Sequence, residues 1–163
     1  MATTRAELIT TLEQTVPHLT RLTAGLADEA LDFHVGPAEW SIREILAHLV
    51  DDEMYVMRLR MERIIKEDNP HLTPHDEQAW YTNRNTTRDQ LDELLADFGL
   101  QRAASLGILK MLRESDWARP GYQSEYGAFT AEGWLSNWVE HDTVHLRQIE
   151  STLQTYKAQT STS

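Results

Sequence analysis

Residues 40–49 read WSIREILAHL and predict the first turns of a long amphipathic helix. Ser41 can accept a hydrogen bond from the backbone of Glu44 while the Glu44 side chain reaches back to the Ser41 N–H, an arrangement known as a capping box. Apolar residues then recur at helical spacing until about Glu67, and the dipeptide Asn69-Pro70 ends the pattern. We therefore predict one continuous helix from residue 42 to about residue 67.

Three further segments carry apolar stripes with a helical period. The first covers residues 3–26, where Pro17 is expected to kink or break the helix. The other two cover residues 86–112 and 130–153. Nowhere do apolar and polar residues alternate over a usable length, so we expect no strand. The prediction is an all-α protein, a four-helix bundle, with long loops at 69–86 and 114–128.

Length and composition favour one globular domain. The chain has 163 residues, of which 40% are hydrophobic and 25% are charged, which is ordinary for a single domain. We assign residues 1–156 to that domain and expect the polar tail 157–163 to fray.

Charge and cysteine content exclude several classes of function. The net charge of −11 argues against nucleic acid and against a membrane surface as partners, because both require a basic face. The absence of cysteine excludes disulfides, thiolate metal sites and a cysteine nucleophile. The first thirty residues have no long apolar run, so we expect no secretory signal. The absence of cysteine favours a reducing compartment, and we expect a cytoplasmic location.

The last predicted helix carries two histidines four residues apart, in the sequence His141-Asp-Thr-Val-His145. Such residues lie about 40° apart on a helix and one turn along its axis, so both imidazoles can reach one metal ion. His145 falls within the apolar arc that contains Trp134 and Trp138, and His141 falls at its edge. The two residues are either metal ligands or core histidines that hydrogen-bond to their neighbours.

His48 is the natural third ligand. It lies at the edge of the apolar stripe of the second helix, where a side chain can turn into a groove between helices, although a boundary histidine would also fit there. Three neutral imidazoles with an open position would suit Zn²⁺, Ni²⁺ or another borderline divalent ion. We interpret His71 and His75 as loop histidines outside the site, because Pro74 disfavours a helical conformation before it.

Two carboxylates of the second helix, Asp52 and Glu53, fall where apolar residues are expected. A buried carboxylate is costly unless it is paired. Asp52 could accept the free N–H of a ligand histidine, and either carboxylate could be a general base toward a water activated by the metal ion. The structural alternative is an ion pair, for example with Arg102.

Residues 39–49 together with the later motif His141-Asp142-x-x-His145-Leu146-x-Gln148 resemble the DinB-like (YfiT-type) superfamily. The resemblance covers nearly the whole chain, element by element and in order. It implies a four-helix bundle with up-down-down-up connections. It also implies a divalent metal ion held by three histidines, which correspond here to His48, His141 and His145.

The resemblance also implies classes of activity. Members of the superfamily include metal-dependent hydrolases and enzymes that transfer low-molecular-weight thiols, as in mycothiol-dependent isomerisation and bacillithiol transfer. We therefore expect a zinc or nickel enzyme that acts on a small-molecule substrate as a hydrolase or a thiol S-transferase. An anionic thiol would need basic side chains near the ion, for which Arg102 and Arg147 are candidates.

Two further hypotheses stay open. A metal-binding or stress-related interaction protein without catalysis is the alternative function, and a fully enclosed metal site would favour it. Members of the superfamily are often dimers, so we also expect a homodimer. Met57, Met61 and Ile65 could form its apolar face, or they could pack under the loop 69–86.

Overall fold

The computed structural model describes residues 2–161, which form four long helical segments and a small sheet. The helices are α1 (Arg5–Thr23), α2 (Asp28–Leu31), α3 (Ile42–Asp52), α4 (Leu59–Lys66), α5 (Glu77–Asn83), α6 (Leu91–Met111) and α7 (Ala131–Thr160). A π-helical turn, Glu53–Arg58, joins α3 to α4, so that these three elements make the second long segment. Short 3₁₀ turns at Thr86–Arg88 and Glu114–Ala118 precede α6 and the second strand of the sheet, respectively.

Two clusters of buried apolar side chains lie at opposite ends of the bundle and give the direction of each helix. The first cluster contains Leu12 and Leu109, and the second contains Leu19 and Phe98. Along α1 the chain therefore passes from the first cluster, at Leu12, to the second, at Leu19. Along α6 it passes the opposite way, from Phe98 in the second cluster to Leu109 in the first. The second segment runs like α6 and α7 runs like α1, which gives the predicted up-down-down-up order. Both α1 and α3 pack against α6 and α7.

The predicted start of the second segment is confirmed, but the segment is not one regular α-helix. Ser41 accepts a hydrogen bond from the Glu44 N–H, and the Glu44 carboxylate accepts one from the Ser41 N–H at 2.8 Å. The helix then widens into the π-helical turn immediately after Asp52. Such a turn inserts one residue into the helical repeat and often lies at a functional site.

The outer limits of the first and last long helices differ from the prediction. Helix α1 is continuous across Pro17, because its buried face outweighs the one backbone hydrogen bond that proline removes. It ends at Thr23, ahead of Gly25, whose φ of 72° is a conformation that terminates helices. Helix α7 extends past residue 153 to Thr160, so residues 157–160 of the expected frayed tail are helical. Residues 162 and 163 lie outside the described part of the chain.

The expectation that the chain has no strand is wrong. Strands β1 (His71–Leu72), β2 (Pro120–Gln123) and β3 (Gly127–Thr130) form a sheet in which β1 is parallel to β2 and β2 is antiparallel to β3. Both predicted loops therefore contain strands, and the first also contains α5. The sheet packs closely on α4: the contact leaves so little space at Gly121 that a Cβ atom there would lie 3.1 Å from the Ile64 side chain. Strands of two and four residues are too short to display a period of two.

The sheet also decides where the methionines of the second segment lie. Met57 and Met61 are buried in one cluster with Leu72 of β1. They therefore pack under the segment 69–86, which was predicted to be a loop, and do not form an exposed dimer face. None of the described helices combines the length and the apolar character that crossing a membrane requires.

Candidate metal centre and active site

Helices α3 and α7 bring the three predicted histidines together. His48 is fully buried on α3, and its Nε2 lies 3.1 Å from the Nε2 of His141. The ring of His145 lies 4.6 Å from each of the other two rings, centroid to centroid. One ring nitrogen from each histidine lies within 4.8 Å of the others. Two nitrogen ligands of a tetrahedral zinc ion are roughly 3.3 Å apart, so this spacing fits a shared ion.

Burial favours the neutral, metal-binding form of two of these imidazoles. The pKa of His48 is lowered to about 3, chiefly by burial; the charge of Asp52 opposes this shift and the nearby imidazoles of His145 and His141 add to it. Burial likewise lowers the pKa of His145. Because a ligand imidazole must be unprotonated, His48 and His145 are ready to bind a divalent ion at neutral pH.

Hydrogen bonds and buried atoms indicate which nitrogen of each ring is available. His145 donates its Nδ1–H to the side-chain oxygen of Gln148 at 2.9 Å, which leaves its Nε2 as an acceptor. The Nδ1 atoms of His48 and His141 are buried and have no hydrogen-bond partner within residues 2–161. In these two rings Nε2 is the nitrogen that faces other polar groups, so all three histidines can present Nε2 to one ion.

Asp52 lies at the same point as these nitrogens. Its Oδ2 is 3.4 Å from the Nε2 of His48 and 3.4 Å from the Nε2 of His141. Burial raises the pKa of the Asp52 carboxyl, but a hydrogen bond from His141 and the charges of neighbouring imidazoles outweigh it, so the net shift is downward. Asp52 is therefore an ionised carboxylate on the Nε2 side of the rings. It faces the position of the ion, and not the free N–H of a ligand histidine.

Glu53, the neighbouring carboxylate, takes the structural role instead. It accepts two hydrogen bonds from Arg102, at 2.6 and 2.9 Å, and a third from the indole N–H of Trp138. Arg102 also donates to Asp142 at 2.7 Å, and all these side chains are buried. The geometry thus favours the structural alternative for Glu53. It also removes Arg102 as a site for an anionic thiol.

Several residues of the site were not predicted by the sequence, among them His75 and Trp80. His75, which we interpreted as a loop histidine, places its Nε2 3.4 Å from the Oδ1 of Asp52, although it does not belong to the three-histidine group. Trp80 of α5 lies 5.4 Å from the ring of His48, and its indole N–H donates to Asp51. His71, by contrast, is exposed on β1 and lies beside Tyr122, as expected for a residue outside the site. Arg147 is exposed, and among the described residues no hydrogen bond or ion pair joins it to the three histidines.

A cavity of about 260 Å³ adjoins the histidines. Its lining includes the site residues Asp52, His75 and His141 together with Arg60, Tyr126 and Trp134. Because His141 and Asp52 line this space, a small molecule in the cavity could reach the groups that would hold an ion. The site is not fully enclosed.

Comparison with known proteins places the chain in a family. The DinB superfamily profile matches residues 8–149. A Bacillus licheniformis protein named as a "putative metal-dependent hydrolase" is 30% identical over 83% of this chain and 77% of its own length. The similarly named YfiT of Bacillus subtilis is 24% identical over 86% of this chain and 79% of its own length.

A solved structure has the same fold. The structure of Bacillus subtilis YfiT, described as "a probable metal-dependent hydrolase with an unusual four-helix bundle topology", matches with a TM-score of 0.82 and 22% identity. The match covers 96% of this chain and 91% of the other. With a profile match over most of its length and a relative at 30% identity, this chain is a member of the DinB superfamily.

Proposed function

We propose that this protein is a metal-dependent hydrolase of a small-molecule substrate, in which His48, His141 and His145 hold a divalent ion. The observation that carries the proposal is the Asp52 carboxylate, which lies beside the imidazoles of His48 and His141 and also lines an accessible cavity. Zinc and nickel are the ions best suited to three imidazole nitrogens.

The chain supplies the groups that hydrolysis needs. A divalent ion bound by the histidines would lower the pKa of a water molecule and polarise the substrate bond that this water attacks. Asp52 Oδ2 faces the same point, so it can orient that water and accept its proton. The Nε2 of His75 lies 3.4 Å from the other carboxylate oxygen, Oδ1, so His75 lies on the side of Asp52 away from Oδ2. Trp80 packs against the ring of His48 and shields it from solvent.

Hydrolysis is favoured over the other two hypotheses because the carboxylate Asp52 lines the cavity beside His141. Of the two arginines expected to bind an anionic thiol, Arg102 is instead bound to Glu53 and Asp142, so an anionic thiol would have to use Arg60 of the cavity. A protein without catalysis was expected to enclose its metal site, whereas His141 and Asp52 line an adjoining cavity. A carboxylate base beside a metal site is the arrangement that activates water.

The test combines metal content with activity. Tag-free wild-type protein should contain near-stoichiometric metal by mass spectrometry, and His145→Ala should contain little. The metal-loaded wild type should hydrolyse members of a panel of esters, amides and lactones. Asp52→Asn should keep the metal but lose about 10²-fold or more of the rate, because the proton acceptor is gone.

His71 provides the control, because it lies outside the three-histidine group. His71→Ala changes an exposed histidine on β1 and should leave both metal content and rate unchanged. Activity that survives removal of the metal, or that is equal in His48→Ala, would refute the proposed mechanism. Metal binding with no turnover on hydrolase and thiol-transfer panels would instead support the non-catalytic alternative.

A further inference from the structure

Arg60 of α4 is a buried cation whose positive charge is not neutralised. Its side chain is nearly fully buried, with 6% of the residue exposed. One guanidinium nitrogen donates to the Thr73 carbonyl at 2.9 Å, and the guanidinium lies 5.2 Å from the centre of the Trp134 ring. The phenol of Tyr126 provides a further hydrogen-bond contact. All three contacts are with neutral groups.

A buried charge of this kind is normally paired with an opposite charge. Within residues 2–161 no carboxylate forms an ion pair with Arg60, and Asp52 and Glu125 influence it only at longer range. Burial lowers the pKa of Arg60, although a guanidinium stays charged throughout the physiological range. Arg102, the other deeply buried arginine, binds two carboxylates. The contrast indicates that Arg60 is held for an anion that comes from outside the chain.

The position of Arg60 suggests what that anion is part of. Arg60 lines the same cavity as Asp52 and His141, so a molecule in this cavity can contact the guanidinium and the metal-binding histidines together. A guanidinium presents several N–H donors in one plane, which match the two oxygens of a carboxylate. Trp134 and Met57 add apolar wall between these polar groups.

We propose that Arg60 binds the carboxylate of a small substrate whose reacting bond lies at the three histidines. That the ligand is a substrate rests on the proposed hydrolase function, but binding of its carboxylate to Arg60 does not require turnover. It would make the enzyme selective for carboxylate-bearing compounds, despite the acidic charge of the chain as a whole. The rest of the ligand would lie along Trp134.

The test uses benzoate and its neutral isostere benzamide as probes, with ligand-observed NMR on zinc-loaded wild type and on His145→Ala. Since His145→Ala removes a metal ligand, benzoate cannot gain affinity there by binding an ion. We expect benzoate to bind both proteins at least about tenfold more tightly than benzamide. Arg60→Gln should abolish this preference while benzamide binding is unchanged. Arg63→Gln is the matched control, because Arg63 is on the same helix and forms an exposed pair with Glu67.

Each contrary result overturns the proposal. A preference for benzoate that persists in Arg60→Gln would place the anion elsewhere. A preference seen with zinc but absent from His145→Ala would show that the carboxylate binds the ion. Wild-type benzoate binding weaker than about 10 mM would refute the site outright.

Two further arms keep the experiment decisive. If Arg60→Gln does not give a native circular-dichroism melt, Arg60→Met carries the same comparison with an apolar chain of similar length. If the wild type binds no metal but shows the Arg60-dependent preference, the hydrolase proposal fails and the anion site stands.

Discussion

Replacing Arg102 by methionine should destabilise the bundle strongly. Arg102 joins α6 to the second segment through Glu53 and to α7 through Asp142. Methionine fills most of the same space but leaves two carboxylates, exposed by only 2% and 1% as residues, without their cation. The hydrogen bonds from Trp138 to Glu53 and from Thr15 to Asp142 remain, so neither carboxylate is left without a donor.

The magnitude follows from the cost of an unpaired buried charge. Breaking a buried ion pair by removing one partner costs about 3–5 kcal/mol. The two remaining donors favour the lower end, so we expect a loss of about 3 kcal/mol in the free energy of unfolding. For a chain of this size, that corresponds to a fall of roughly 6–12 °C in Tm. Arg63→Met, which breaks the exposed pair with Glu67, should cost at most about 1 kcal/mol.

Urea unfolding of the metal-free proteins, followed by far-ultraviolet circular dichroism at pH 8, measures these differences. A loss of less than about 1 kcal/mol in Arg102→Met, or a loss no larger than that of Arg63→Met, would refute the assignment of a buried charged network.

The network should also affect the metal site, because Glu53 and Asp142 are chain neighbours of Asp52 and His141. Groups that orient metal ligands typically contribute 10–100-fold to metal affinity, and we expect a zinc affinity lower by about that factor in Arg102→Met. Competition with a chromophoric chelator at pH 7.5 measures it. If folded Arg102→Met binds zinc as tightly as the wild type, this prediction is wrong and the network only stabilises the fold.

Two other predictions concern the histidines themselves. His75→Ala should keep near-stoichiometric metal, since His75 lies beside Asp52 and is not in the three-histidine group, but it should lower hydrolytic kcat because Asp52 loses the neighbouring imidazole; metal loss measured by mass spectrometry would make His75 a ligand. The metal-free protein should lose stability as pH falls from about 6.5 toward 3, because the unfolded chain then binds a proton that buried His48 does not. His48→Gln should flatten the pH dependence of urea unfolding by up to about 1.4 kcal/mol per pH unit, and an unchanged slope would contradict the low pKa.

The main features of the bundle could be predicted because they depend on local signals. The capping box at Ser41 and Glu44 starts the second segment where expected. One-sided apolar stripes located the other long helices, and the i, i+4 spacing of His141 and His145 placed both on one side of α7. His48 was found from its position at a stripe edge. Predicting these features requires only the period of a helix and the apolar or polar character of each side chain.

The different roles of Asp52 and Glu53 could not be assigned from the same helical period. Adjacent residues on a helix point about 100° apart, so one faces the histidines and the other faces Arg102. The position of Asp52 beside His48 is set by regular α3, in which it lies one turn after His48. The π-helical turn begins at Glu53, and its one inserted residue rotates the residues that follow relative to a regular helix. A regular period assumed up to residue 67 carries the wrong phase beyond that point. Arg60, located after the turn, was accordingly not identified as a residue of the site.

The small sheet explains why the remaining site residues escaped prediction. Strand β1 has only two residues, and it is held by pairing with β2, some fifty residues later in the chain. That pairing fixes the segment after β1, whose Thr73 carbonyl accepts from Arg60 and whose His75 contacts Asp52. One short segment therefore touches both the proposed carboxylate site and the base beside the metal site. Its position is set by a long-range register rather than by local sequence, so the part of the cavity wall that contains His75 could not be predicted from the sequence.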